Sequence, residues 1–334
     1  MPESPTGTDE AVDAAVGWLA QRRQVSASSL AWALGDEVRR PRSIVTPLFV
    51  RAPDGSQHRF WLKTLRGPDD RSPAPDDGTL AAWRQMVDRT LLVQERVRDA
   101  LAPLGVDMPL VIAHDLEHRS IVNTHVEGTP YGRLTRHAVG PRRGALLEAM
   151  RHVGSAVAAL ERVAPPTAAW STDRVSGLVA RWLPLASRIL PDGDRRLEAT
   201  GDELVAALRS GPHAVWMHGD LSLTNVLSGR GRTLSLIDFE YRDSPAGSDI
   251  GIFAARLELQ GGGNLGGTAA AAMAALVEGY GDPDVTTVPG FRFMQIKKAF
   301  QHLSRAPSRR HRLLAGAHAA KTARRILERN LAPA

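Results

Sequence analysis

The residues best suited to chemistry lie in one stretch, MHGDLSLTNVLSGRGRTLSLIDFE, over residues 217–240. A turn there holds His218, Asp220 and Asn225, and an apolar run then leads to Asp238. Phosphoryl transfer needs a carboxylate to orient the attacking hydroxyl, and oxygen ligands to hold magnesium against the nucleotide phosphates. An Asp-x-x-x-x-Asn loop followed by a second Asp supplies one carboxylate for the hydroxyl and two oxygen ligands for the metal. The spacing therefore predicts a kinase-type active site.

Two departures from the protein-kinase pattern refine this interpretation. Gly219 replaces the Arg of His-Arg-Asp, and Glu240 replaces the Gly of Asp-Phe-Gly. His-Gly-Asp in this context resembles the aminoglycoside phosphotransferase family of kinase-like small-molecule phosphotransferases, over roughly residues 26–305. The stretch 237–241, with Asp-Ile-Gly at 249–251, also resembles the choline and ethanolamine kinases.

The resemblance implies an α+β, bilobal, protein-kinase-like fold with a small β-rich N-lobe and a larger, mostly helical C-lobe. It implies ATP or GTP as phosphoryl donor and Mg²⁺ as metal. Asp220 would be catalytic, and Asn225 and Asp238 would bind the metal. His218 and Asp249 would support the catalytic loop structurally. A lone His-Gly-Asp is more often an ordinary turn, but the ordered set with its downstream strand favours the kinase interpretation.

The N-terminal half contains a candidate phosphate-binding lysine. Lys63 ends a predicted strand that starts at His58, and it is one of only four lysines among 42 basic residues. Lysine and arginine are not interchangeable around phosphate, so a lysine here favours function over a solvated strand residue. Glu95 is its candidate partner, although it could instead face water beside Arg98. Glu95 lies on a helix predicted over 79–101 with an apolar side of Leu80, Trp83, Val87, Leu91 and Val97.

The rest of the nucleotide site is less distinct in the sequence. The connection from Gly35 to Ser43 would cover the phosphates, yet it has one Gly and no Gly-x-Gly-x-x-Gly pattern. Gly35 and Ser43 are candidate phosphate donors, while a solvated basic turn is equally consistent with the residues. Adenine would meet the backbone between Asn123 and Val126, just before the connector of the two lobes.

Composition bounds the class of protein. The chain has 334 residues, 43% of them hydrophobic, which is enough for two lobes with their own cores. It has no apolar run of membrane-spanning length and no signal-like N-terminus, so we expect a cytoplasmic protein that does not enter a membrane. The absence of cysteine excludes disulfides and thiolate metal sites. A net charge of +6 could indicate nucleic acid, but the C-terminal arginines alternate with apolar residues at helical spacing. We therefore expect no nucleic-acid partner.

The organisation of the chain follows from hydrophobic periodicity. Residues 1–8 are predicted to be a disordered tail, 9–127 a nucleotide-binding N-lobe, and 128–334 a C-lobe with the catalytic loop and acceptor-binding helices. Helices are predicted at 9–23, 143–163, 172–189, 197–208, 248–259, 269–280, 291–304 and 308–330.

The leading functional hypothesis is an ATP-dependent O-phosphotransferase acting on a small molecule: an aminoglycoside or other antibiotic, a sugar or a nucleoside. A choline-type amino-alcohol kinase is the alternative, weakened because few aromatics follow residue 251 to form a cation cage. A non-catalytic nucleotide-binding module is disfavoured, since no key position is lost. The acceptor, ATP versus GTP, the oligomeric state and a role in resistance, self-protection or metabolism stay open.

Overall fold

A computed structural model describes residues 8–40, 43–65, 77–134, 141–163, 172–210, 215–229, 233–261, 268–304 and 315–331. The predicted disordered tail lies outside these ranges except for Thr8, which begins the first helix. The chain divides into two compact units, one of residues 1–96 with 108–126 and the other of residues 97–107 with 127–334. The first carries a sheet and the second is mostly helical, so the predicted α+β class is confirmed.

The helices are α1 (Thr8–Arg23), α2 (Asp77–Leu101), α3 (Tyr131–Leu134), α4 (Pro141–Val163), α5 (Asp173–Ile189), α6 (Gly193–Ser210), α7 (Ser248–Gly261), α8 (Thr268–Tyr280), α9 (Pro289–Ser304) and α10 (Ala315–Asn330). The strands are β1 (Ala31–Leu34), β2 (Val38–Arg40), β3 (Ser43–Arg51), β4 (Gln57–Leu65), β5 (Val106–Asp107), β6 (Val111–Asp115), β7 (Ser120–Thr124), β8 (Thr129–Pro130), β9 (Val215–Met217), β10 (Val226–Ser228), β11 (Leu234–Leu236) and β12 (Arg242–Ser244).

An antiparallel sheet forms the first unit, in the order β1-β3-β4-β7-β6 with β2 also paired to β3. Because side chains alternate along a strand, Phe60 and Leu62 of β4 point to one face, where they join Leu48 and Val122 in the core beneath α1. Lys63 therefore projects from the opposite face. Strand β1 begins at Ala31, directly after a short 3₁₀ helix of residues 27–29 and Leu30.

Helix α2 has a buried stripe that differs from the predicted one. Trp83, Val87 and Val97 are buried as expected, but Leu91 is 38% exposed, so that assignment was wrong. The buried stripe instead passes through Gln94, whose side-chain amide donates to the Val111 carbonyl at 2.9 Å and accepts from the Val111 amide at 2.8 Å. A polar side chain that satisfies a strand backbone takes the place that hydrophobicity alone would give to a leucine.

The second unit contains the remaining helices and the short strands. Helices α4 and α8 approach so closely that a Cβ on Gly154 or Gly279 would collide with the backbone of the other helix. Helices α5, α6, α9 and α10 enclose a separate core in which Trp182 stacks on Phe300 with ring centroids 5.0 Å apart. The predicted helices are present, and the part of the last one before Ala315 lies outside the described residues. Within the described ranges, no helix has the length and apolar character to cross a bilayer.

Two small strand pairings lie on either side of the candidate catalytic loop, residues 218–225. Strand β9 enters the loop and pairs antiparallel with β12. Strand β10 leaves the loop and lies in a four-stranded sheet of order β5-β11-β10-β8. The loop is therefore fixed at both ends by backbone hydrogen bonds.

Candidate active site

The β10–β11 pairing brings the two predicted metal ligands to the same end of a hairpin. Val226 pairs with Leu236, and the Ile237 amide donates to the Asn225 carbonyl at 3.0 Å. Asn225 precedes β10 and Asp238 follows β11, so antiparallel register places both residues where the catalytic loop ends. Asp238 is exposed and has a φ of 61°, a left-handed conformation that is uncommon outside glycine and typical of functional sites.

Asp220 lies in the middle of the loop with its side chain 41% exposed. The Asn225 side-chain amide donates to the Asp220 carbonyl at 2.9 Å and lies 3.4 Å from one of its carboxylate oxygens. The oxygen of the same Asn225 amide accepts from the Thr224 hydroxyl at 3.4 Å. The three polar residues singled out from the sequence are thus brought together by one loop and one hairpin.

Arg256 is part of this arrangement although the sequence analysis did not identify it. One guanidinium nitrogen donates to the carbonyls of Asp220 and Leu221, each at 2.9 Å, and another donates to the Asp220 carboxylate. A signal existed in the sequence: Arg256 follows Asp249 by seven residues, or two helical turns, so the two lie on one face of α7. The Arg256 charge balances that of the Asp220 carboxylate.

Asp249 holds the start of the loop. Its fully buried carboxylate accepts the amides of His218 and of Gly219, the latter at 3.0 Å. Gly219 has a φ of 83°, a conformation that an arginine would adopt only with strain, which explains His-Gly-Asp at this turn. Burial raises the pKa of Asp249 to about 7, against the lowering effect of the two amide bonds.

His218 is also fully buried and supports the loop from the other side. Its ring lies against that of Phe239, with centroids 4.4 Å apart, and its carbonyl accepts the Glu240 amide at 2.8 Å. Burial lowers the pKa of His218 to about 4, even though the charges of Asp238 and Asp220 act in the opposite direction. The imidazole is therefore neutral near pH 7, which suits a structural role and not proton transfer.

The donor chemistry at the hairpin end fits magnesium. A carboxylate and an amide oxygen are hard ligands, and Mg²⁺ in kinases commonly uses one or two such groups together with phosphates and water. Within the described residues, no cluster of three or more His, Cys, Asp or Glu side chains could form an all-protein metal site. Asn225 and Asp238 would therefore hold the ion jointly with a nucleotide.

Lys63 and Glu95 both lie in the first unit. Lys63 is half-buried on β4, where it pairs with Val45 and Ile121. Glu95 is exposed on α2, next to the buried Gln94.

The four remaining candidates of the nucleotide site lie in the same sheet or directly beside its strands. The Gly35 amide donates to the Pro47 carbonyl at 2.8 Å, and a Cβ there would collide with the Pro47 ring, so close packing already requires this glycine. Ser43 is buried at the start of β3. Asn123 is half-buried opposite Trp61, and Val126 is buried just after β7.

Comparisons with known proteins bear on the family and the fold. The family model described as the phosphotransferase enzyme family matches residues 67–288. A thermostable mutant of aminoglycoside phosphotransferase APH(4)-Ia in its apo form superposes with a TM-score of 0.51 at 14% identity, covering 94% of this chain and 98% of that one. This likeness confirms the predicted kinase-like fold.

Two further solved structures give lower scores. Macrolide 2'-phosphotransferase MphH from Brachybacterium faecium is 19% identical over 93% of this chain and 97% of its own, with a TM-score of 0.45. Choline kinase from Cryptosporidium parvum Iowa II is 11% identical over 96% and 94%, with the same TM-score of 0.45. No curated protein matches the chain significantly.

Proposed function

The chain belongs to the phosphotransferase enzyme family, and on this premise we propose that it is an ATP-dependent O-phosphotransferase that uses Mg²⁺ to phosphorylate a hydroxyl of a small molecule. The observation that carries the proposal is the convergence of Asp220, Asn225 and Asp238 on one loop and one hairpin end. We also propose that it works in the cytoplasm, where ATP is supplied.

Asp220 is the residue that orients the acceptor. Its carboxylate is partly exposed, so an acceptor hydroxyl can reach it. The Asn225 amide and the Arg256 guanidinium fix the loop carbonyls beside it, and this limits the directions in which the carboxylate can point. Positioning of this kind supplies most of the rate enhancement in phosphoryl transfer, because the transition state is loose and requires little covalent help.

Asn225 and Asp238 would hold Mg²⁺ through one amide oxygen and one carboxylate. The ion, when bound, neutralises charge on the phosphate oxygens. Lys63 would neutralise further phosphate charge, with Glu95 holding the lysine in position. His218 and Asp249 take no part in proton transfer in this scheme, and keep the backbone of the loop in its catalytic conformation.

A choline-type acceptor is disfavoured by the placement of the aromatic residues. In the described part of the chain beyond residue 251, the phenylalanines are buried in the core and the Tyr280 hydroxyl donates to Glu161 at 2.7 Å. The phenylalanine rings therefore do not face outward, and the half-buried ring of Tyr280 is not by itself a cage for a quaternary ammonium group. A hydroxyl on a sugar, nucleoside or antibiotic fits the site better.

The experiment that tests the proposal is an ADP-release screen with Mg-ATP and a panel of aminoglycosides, nucleoside antibiotics, macrolides, sugars and amino alcohols. Wild type should release ADP with at least one acceptor, and Asp220→Asn should lower that rate about 10²- to 10⁴-fold, the usual contribution of a positioned acid–base group. Asp202→Asn, an exposed change on α6, is the matched control. Equal ADP release by wild type and Asp220→Asn with every acceptor would overturn the assignment, and nucleotide binding without any turnover would favour a non-catalytic module.

A further inference from the structure

A second cation lies close to the catalytic loop. Helix α9 packs tightly on α7: a Cβ on Gly251 would collide with the Phe291 backbone, and the Gln295 side chain donates to the Gly251 carbonyl at 2.9 Å. Beyond this contact, toward the C-terminal end of each helix, lie Arg256 on α7 and Lys298 on α9. Lys298 is three residues after Gln295, so it lies on the same face of α9 and points toward α7.

Lys298 is held in a site that disfavours its charge. Burial, together with the positive charges of Arg256 and Lys297, lowers its pKa to about 8. Asp220 and Glu240 act in the opposite direction, which shows that they lie within electrostatic range of the ammonium. Among the described residues, however, no carboxylate forms an ion pair with Lys298. A partly buried ammonium without an ion-pair partner is costly, and such positions usually serve binding or catalysis.

Arg256 is not available to bind an acceptor, because its guanidinium already donates to Asp220 and Leu221. It does add positive charge to the space beside Lys298. A polycationic acceptor placed with its hydroxyl at Asp220 would therefore meet two like charges.

Three acidic residues of the same helical region are already engaged with other groups of the protein. Glu258 is bound by Arg329 at 2.8 Å, and Glu278 is bound by Arg151 at 2.8 Å. The Asp282 carboxylate accepts the backbone amide two residues later and caps a short 3₁₀ helix. Each of these carboxylates has a partner within the protein. Lys298, next to the catalytic loop, has no carboxylate partner among the described residues.

We propose that Lys298 binds an anionic group of the acceptor, so that the substrate is a hydroxylated compound bearing a carboxylate or a phosphate. This inference rests on the proposed function, since it assumes that the acceptor hydroxyl lies at Asp220. The ammonium then pairs with the anion while Asp220 orients the hydroxyl, and the two contacts together fix which hydroxyl is phosphorylated.

The chain offers a direct test because it has only four lysines, Lys63, Lys297, Lys298 and Lys321. With ¹³C-labelled lysine, the side chains give few NMR signals, and each is assigned from its loss in a Lys→Met variant. Acetate and inorganic phosphate serve as probes for the two anion types. We expect titration with one of them to shift the Lys298 signal and to raise its pKa from about 8, while exposed Lys321 responds weakly.

Three outcomes would overturn the inference. One is that neither anion shifts Lys298 more than Lys321. Another is that Mg-ADP alone saturates the Lys298 response and blocks the anions, because the lysine would then serve the nucleotide. The third is that Lys298→Met leaves the best acceptor's KM unchanged while a cationic acceptor is the best of the ADP-release panel. None of these outcomes changes the comparison of Asp220→Asn with wild type, which tests the phosphotransferase proposal. Failure of the Lys298 proposal can therefore be distinguished from failure of the proposed function.

Discussion

The Arg256 guanidinium binds both the carboxylate and the main-chain carbonyl of Asp220. Helix α7 thus holds the catalytic loop at two points, since Asp249, two turns earlier, binds the amides at the start of the loop. The exposed carboxylate at residue 220 owes its position to a helix whose other face packs in the core.

We expect Arg256→Lys to lower kcat about 10- to 100-fold, the loss that corresponds to one charge-assisted hydrogen bond. Lysine keeps the charge but cannot donate to two carbonyls and a carboxylate together. Steady-state kinetics with the best acceptor would measure the effect, and urea unfolding would check stability. Arg151→Lys, in an exposed pair with Glu278, is the matched control. An unchanged kcat for Arg256→Lys would contradict a positioning role.

Asn225→Ala should weaken magnesium binding and raise the Mg²⁺ concentration needed for half-maximal rate. The variant removes the amide oxygen proposed as a ligand, and also the hydrogen bond to the Asp220 carbonyl. Titration of activity against Mg²⁺ at saturating ATP separates the two effects, because excess metal restores the first and not the second. Asn330→Ala on α10 is the control. The same Mg²⁺ dependence in Asn225→Ala and wild type would argue against this ligand.

The sequence singles out a candidate site whose residues follow one another in a fixed order. His218, Asp220, Asn225 and Asp238 lie within 21 consecutive residues, and local backbone pairing alone brings them together. The α+β class and the helices were also predictable, because amphipathic periodicity persists over several turns.

What the sequence did not reveal depends on contacts between distant elements. Leu91 looked like a core residue, but Gln94 takes the buried position by satisfying the Val111 backbone. Arg256 and Lys298 did not stand out among the 42 basic residues of the chain. Only the packing of α7 on α9 shows that both lie near the catalytic loop.

Replacing Lys63 tests the proposed nucleotide contact. Lys63→Met should lower kcat/KM for ATP about 10- to 100-fold, since it removes a charged hydrogen-bond donor to phosphate. Lys63→Arg should restore only part of the loss, because a guanidinium does not reproduce a compact ammonium on a packed strand. The matched control is Lys321→Met, an exposed change on α10. If Lys63→Met and Lys321→Met give equal values of kcat/KM for ATP, the lysine has no role in nucleotide binding.

The pH dependence of stability should show that folding moves a proton from His218 to Asp249. In the folded protein His218 is neutral down to about pH 4, and Asp249 keeps its proton up to about pH 7. In the unfolded chain the order reverses, because the ordinary pKa values are 6.5 for histidine and 3.8 for aspartate. Between these limits each state holds one proton on the pair. Their contributions to the pH dependence of unfolding therefore nearly cancel.

Replacing either residue alone should remove this cancellation, and the two variants should give opposite slopes of stability against pH. In His218→Gln the raised pKa of Asp249 remains, so stability present at low pH is lost as the pH rises toward about 7. In Asp249→Asn the lowered pKa of His218 remains, so stability is lost as the pH falls from 6.5 toward about 4. Each slope, taken relative to wild type, should approach about 1.4 kcal/mol per pH unit. Urea unfolding across this range measures both, and parallel curves for the three proteins would show that the two groups titrate normally and that burial does not control them.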